Sequence, residues 1–292
     1  MLQTKSNRFL LTLFANLILS FSLMAQAGDT SEETGLPGDH FSLEGALELF
    51  KKAESPEDFE KLLNTESSNV NNLDLNEDGE IDYIRVLDNM DADVHAIVLQ
   101  VPVNEDESQD IAVIEIEKTG DEEALLQIIG DEDIYGEQVI VEPFQMEARD
   151  NGKGPSVTLD YVVVNVWAWP SVRFVYAPAY RPWVSPWSFR AYPRWWAPWR
   201  VVPFRVWRPR VAVYRPHYHV VATHRVLRAH KVYTPHRRSS TVVRTRTTTV
   251  VKNRNGQTVG KRTTTRTTVK GKNGGQVTRQ RSTTKGRARR GN

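Results

Sequence analysis

From Ser42 onward, apolar residues return with helical spacing. Leu43, Ala46, Leu47 and Phe50 fall on one face of a helix that the Ser42 hydroxyl can cap. Ser55, Pro56, Glu57 and Asp58 mark a second helix start: a capping hydroxyl, a proline at the first helical position, and acids in the first turn. Phe59, Leu62 and Leu63 give that helix its apolar face. Past residue 80 the period drops to that of strands, in runs near 81–87, 95–103, 111–117, 125–129 and 139–144. Charged or glycine-containing turns at 89–93, 104–110, 119–123 and 130–136 separate them. The pattern predicts an α+β fold, with two N-terminal helices packed on an antiparallel β-meander. The helices are expected to cover one sheet face and bury Ile84, Val86, Ile97, Leu99, Ile114 and Ile116.

The stretches around this domain have a different character. Residues 1–27 read as a secretory signal: Lys5 and Arg8, an apolar run over 9–24, then Ala25 and Ala27 before Gly28. An uncleaved membrane anchor is the competing reading, weakened by the polar Thr12, Asn16, Ser20 and Ser22 in a short run. Export to the periplasm, outer surface or medium is the expectation. With no cysteine, the chain has neither disulfides nor a lipoprotein anchor. Residues 28–40 form a polar lead-in, 41–149 the acidic domain, and 150–156 a hinge rich in glycine. A strand-like run over 157–169 can close the sheet. All eight tryptophans lie between Trp167 and Trp207, among prolines and arginines. The prolines argue for extended, polyproline-like backbone across 157–240. Residues 241–292 form a low-complexity basic tail with an 18-residue repeat, in which Asn255-Gly256 and Asn273-Gly274 are hairpin turns between Thr/Val-rich arms. Hairpins with so few large apolar residues are marginal alone, and a disordered polycation is the other reading.

Charge sharpens this division, which the overall net charge of +2 conceals. All 36 Asp and Glu lie between Asp29 and Asp160, against seven basic residues, for a net of −29 over residues 28–160. From Tyr161 to Asn292 there is no acid, and the net charge is +29. Blocks of opposite sign and this size attract within one molecule or between molecules. Trp and Arg in the arm can stack on sugars or bases, sit at a lipid surface, or pack back onto the acidic domain.

The most specific chemistry lies in residues 74–82. Asp74, Asn76 and Asp78 recur at every second position before Gly79, and Asp82 follows. Calcium takes six to eight oxygen ligands from a tightly curled loop. Asp74, Asn76, Asp78 and Asp82 would ligate through side chains, and Glu80 through its backbone carbonyl. The twelfth position, a bidentate Glu in an EF-hand, is Arg85 here, which excludes that motif. The segment resembles the D-x-[DN]-x-D-G-x-x-D loop of integrin-type (FG-GAP) repeats, which implies a calcium ion closed in by the ninth-position Asp82. The likeness covers about a dozen residues and occurs once, so it implies the loop and not a propeller. The competing reading is an acidic hairpin in which Gly79 serves only the turn. The stretch from Phe41 to Glu147 also resembles uncharacterised secreted proteins of Bacteroidetes-type bacteria, a resemblance that implies export and no activity.

Other candidate chemistry is thin. His217 and His219 would face one way on a strand and could share a metal ion, but no acid or cysteine is near them in sequence. His95, between Val94 and Ala96, reads as a structural histidine. No nucleophile elbow, H-E-x-x-H or phosphate-binding glycine loop is present. The expected function is therefore an exported, non-catalytic protein with a calcium loop, whose cationic aromatic arm binds polyanions: anionic glycan, lipopolysaccharide or nucleic acid. A structural cell-envelope component acting by self-association or membrane contact is the alternative. A hydrolase in the acidic domain is the third reading.

Overall fold

The computed structural model describes residues 33–150, 157–240, 243–252, 258–270 and 276–286. The signal, most of the hinge and both Asn-Gly turns of the repeat lie outside these residues. Ser42 and Ser55 cap as their sequence context requires. Ser42 Oγ accepts from the Gly45 N–H at 3.0 Å, opening α1 (Leu43–Lys52), and Ser55 Oγ accepts from the Asp58 N–H at 3.1 Å, opening α2 (Pro56–Leu63).

A seven-stranded antiparallel sheet follows. Its strands are β1 (Arg85–Asp91), β2 (Val94–Pro102), β3 (Ser108–Gly120), β4 (Glu123–Gly130), β5 (Val139–Asp150), β6 (Val157–Val163) and β7 (Tyr218–Val221). The first six run in sequence order, and β7 pairs with β5. The helices and the antiparallel sheet agree with an α+β fold, but the run after the hinge ends at Val163 and pairs only with the outer half of β5, from Phe144 on. The inner half, Ile140 to Pro143, is flanked by β7 from the basic arm. Ile84, Val86, Ile97, Leu99, Ile114 and Ile116 all join the core beneath α1 and α2.

The expectation of an extended arm holds only in part. Segments 176–203 carry no helix, but α4 (Pro170–Val175), α5 (Phe204–Val211) and α6 (Leu227–Tyr233) flank or follow them, after the single-turn α3 (Glu132–Tyr135). Pro170 sits at a helix start, where its missing N–H is harmless. Pro209 lies within α5 near its C-terminal end. The arm also enters the domain's core: Val166, Trp169, Val172, Val175 and Tyr218 pack in the same cluster as α1 and α2. The opposite sheet face is covered too, with Tyr233 of α6 on Ala96, Val98, Val113, Ile129 and Ile140. Every residue of β2 is consequently buried. The strands β8 (Val243–Lys252), β9 (Thr258–Lys270) and β10 (Gln276–Gly286) pair antiparallel in a separate three-stranded sheet.

Candidate functional site

The 74–82 loop is curled by its own side chains. Asp74 Oδ1 accepts from the Asp78 N–H at 3.1 Å, and Asp74 Oδ2 from the Gly79 N–H at 3.0 Å. Asp78 Oδ1 accepts from the Glu80 N–H at 2.9 Å, and Asn76 donates its amide to Asp78 Oδ2 at 2.9 Å. Gly79 has φ +90°, the left-handed turn that glycine adopts without strain, and Glu77 takes φ +59° two residues earlier. Asp82 is buried, and its Oδ2 accepts from the Leu75 N–H at 2.5 Å. Burial pushes the Asp82 carboxyl up to about 8, with the charges of Asp74 and Asp78 acting in the same direction. Asp74, Asp78 and Asp82 do not place one oxygen each within 4.8 Å of one another. Glu80 forms a bridge with Arg200 of the arm, where the Ile81 N–H donates to the Trp199 carbonyl at 2.8 Å.

The arm's aromatic residues mostly pack against the acidic domain. Trp207 is 2 % exposed and donates Nε1–H to the Asn69 carbonyl at 2.6 Å; Trp196 packs edge-on against Tyr83. Trp183 donates to Glu60 Oε2 at 3.3 Å. Trp195 is the exception, at 49 % exposed. A side chain adds to the attachment, since Asn72 donates its amide N–H to the Val202 carbonyl at 2.8 Å and accepts the Val202 N–H through its amide oxygen at 2.9 Å.

Carboxylates of the acidic domain meet basic groups of the arm, although no acid stands near those groups in sequence. Arg225 pairs with the buried Glu142 at 3.1 Å, Arg237 with the buried Asp131 at 2.6 Å, and Arg228 with the exposed Asp93. His219 lies on β7, whereas His217 precedes that strand. His219 stacks on Phe144 and lies 3.7 Å from Glu142. His95 is buried, with Nδ1 2.8 Å from Asp88 Oδ2 and its ring against Tyr176 and Tyr180.

Six arginines behave differently. Arg173, Arg181, Arg190, Arg194, Arg200 and Arg205 are exposed, and none forms an ion pair among the described residues. A further cation, Arg85, is half-buried and lines an open cavity of about 480 Å³ with Gln100, Ser108, His236 and Arg238. Its guanidinium meets only neutral acceptors, the Gln100 amide oxygen, Ser108 Oγ at 3.2 Å and the Trp187 carbonyl at 3.3 Å. Burial lowers its affinity for its proton, while Asp110 and Glu60 oppose that at longer range. Asp106 is the one acid in the cavity wall, against Arg85 and Arg238. The cavity thus favours an anion. Sequence reasoning missed it because its walls come from β1, β2, β3 and the segment after α6.

No helix among the described residues is long and apolar enough to cross a membrane. No family model, no curated protein and no solved structure matches the chain.

Proposed function

We propose that this is an exported, non-catalytic protein that binds an anionic polymer through the outward arginines of its arm. The observation that carries the reading is the sorting of the arm's charge. Arg225, Arg228 and Arg237 are consumed by carboxylates of the acidic domain, whereas the six arginines between 173 and 205 have none among the described residues. The Arg85 cavity would take one anionic group of the same polymer, a sulfate, phosphate or carboxylate. Anionic glycan, lipopolysaccharide and nucleic acid share that chemistry.

Heparin affinity measured against salt tests it on the chain lacking residues 1–27. Affinity should fall log-linearly with salt, and replacing Arg194, Arg200 and Arg205 by Gln should flatten the slope by roughly 2–3. Trp195→Ala should weaken binding at unchanged slope, because stacking releases no counterions. An unchanged slope in the triple variant would remove these arginines from the interface.

The same proposal includes calcium in the 74–82 loop, favoured by the carboxylates of Asp74 and Asp78 gathered beside the buried Asp82. The donors are of the right kind: carboxylates of Asp74, Asp78 and Asp82, the Asn76 amide oxygen and the Glu80 carbonyl. Added calcium should raise the unfolding midpoint, by about 2.7 kcal/mol at about 100 times the dissociation constant. Asp78→Ala should abolish that gain, Glu77→Ala should keep it, and magnesium should substitute poorly. Calorimetry with no calcium-dependent shift would leave an acidic turn.

A further inference from the structure

We infer that Glu115, His224 and His230 form a binding site for one divalent transition-metal ion, of the zinc type. Glu115 lies in the middle of β3 and is fully buried. Its Oε2 is 2.6 Å from His224 Nε2, and its Oε1 is 2.7 Å from His230 Nδ1. The three ligand atoms lie within 4.8 Å of one another, the one such group of acidic and imidazole side chains among the described residues. His224 comes from the loop between β7 and α6, and His230 from α6 itself, with ring centroids 4.7 Å apart and edge-to-face.

Two imidazole nitrogens and a carboxylate oxygen are a donor set that zinc accepts, with bonds of about 2.0–2.2 Å. Tetrahedral bonds of that length separate neighbouring donors by about 3.3 Å. The present 2.6 and 2.7 Å contacts are hydrogen bonds, so an ion would replace the shared protons and open each contact by about 0.6 Å. That is a rotamer adjustment and not a rearrangement of the fold. Both rings are partly exposed, at 16 % for His224 and 27 % for His230, which supplies an entry path and leaves water to complete the shell.

Nearby cations do not oppose the ion. Arg225 turns to Glu142 and Arg228 to Asp93, each neutralised by its partner. Glu117, on the same face of β3, accepts the Arg228 and Ala229 N–H groups at 2.7 and 3.2 Å, and so adds negative potential beside the site. This inference does not depend on the arm binding a polyanion, and calcium, which prefers hard oxygen donors, is not its ion.

Equilibrium dialysis of the chain lacking residues 1–27 against zinc, with elemental analysis, tests the site. Wild type should retain one equivalent more zinc than the His224→Ala/His230→Ala double variant, and each single replacement should weaken binding at least tenfold. His224→Gln keeps a donor for Glu115 but is a poor ligand, so it should fold normally and still lose the ion. His217→Ala and Asp78→Ala should leave this equivalent in place, which separates it from adventitious zinc on the arm or the acidic loop. Cobalt should give the intense visible bands of a four- or five-coordinate N/O site in wild type only. Equal zinc in wild type and the double variant, or a cobalt spectrum like that of the free ion, would reduce the triad to a pair of hydrogen bonds that fasten α6 to the sheet.

Discussion

Replacing Glu60 by alanine is expected to cost about 4 kcal/mol or more, a large part of the stability of a typical domain. Glu60 lies on α2, is 2 % exposed, and accepts four hydrogen bonds. Tyr83 donates its hydroxyl at 2.7 Å, Val86 its N–H at 2.8 Å, Ser185 its hydroxyl at 2.9 Å and Trp183 its indole N–H at 3.3 Å. Alanine would leave all four donors in a site with little water, each at about 1–3 kcal/mol before relaxation. Glu60→Gln keeps the volume and one acceptor oxygen, but turns an amide NH₂ toward donors, so it should cost about 2 kcal/mol. Because Trp183 and Ser185 belong to the arm, the alanine variant should also expose residues 183–187 to protease. Urea unfolding followed by fluorescence gives the first quantity, and timed digestion the second. A loss below about 1 kcal/mol with an unchanged digestion pattern would mean that Glu60 does not tether the arm.

Glu60 also marks where the sequence stops being legible. The caps at Ser42 and Ser55 could be read because their partners lie three residues away. The core face of β3 could be read because Ile114 and Ile116 alternate with acids. That same alternation, however, assigns Glu115 and Glu117 to water, and both are buried. Their partners, His224, His230 and the start of α6, lie more than 100 residues downstream, and no local pattern encodes a contact at that separation. Charge balance was the available signal: an acid-free half following a half rich in acids announces pairing without saying which residues pair. Tryptophan density was ambiguous for a related reason. A large ring with one N–H packs as readily against the chain as against a ligand, and the partners of Trp183 and Trp207 are Glu60 and the Asn69 carbonyl. Gly79 was legible as a turn, whereas the left-handed Glu77 two residues before it carried no such signal.

The second large effect concerns pH, and it resides at Asp110. This carboxylate is fully buried at the start of β3, and accepts from Gln100 at 2.6 Å, from the Arg238 N–H at 2.8 Å and from the Tyr233 hydroxyl at 3.1 Å. Burial nonetheless outweighs these donors, and the nearby charge of Asp131 adds to it, so the carboxyl is pushed up to about 6. An unfolded aspartate titrates near 3.9. Between roughly pH 4 and pH 6, then, the folded chain holds a proton at Asp110 that the unfolded chain has released, and stability falls as pH rises through that window. Below it both states are protonated and above it both are ionised, so the slope from this group vanishes on either side. Its full extent is about 3 kcal/mol. Asp110→Asn imitates the protonated form and should erase the step. The stability of the variant relative to wild type should therefore improve by about 2 kcal/mol between pH 4 and pH 6.5. Urea unfolding of both proteins at the two pH values measures that difference directly, with carboxylates remote from Asp110 cancelling between them. A relative stability that stays flat, or that moves in favour of wild type as pH rises, would show that Gln100, Tyr233 and the Arg238 N–H hold Asp110 ionised throughout. The arm's attachment at Tyr233 and Arg238 would then rest on a charged hydrogen-bond acceptor and not on a neutral one.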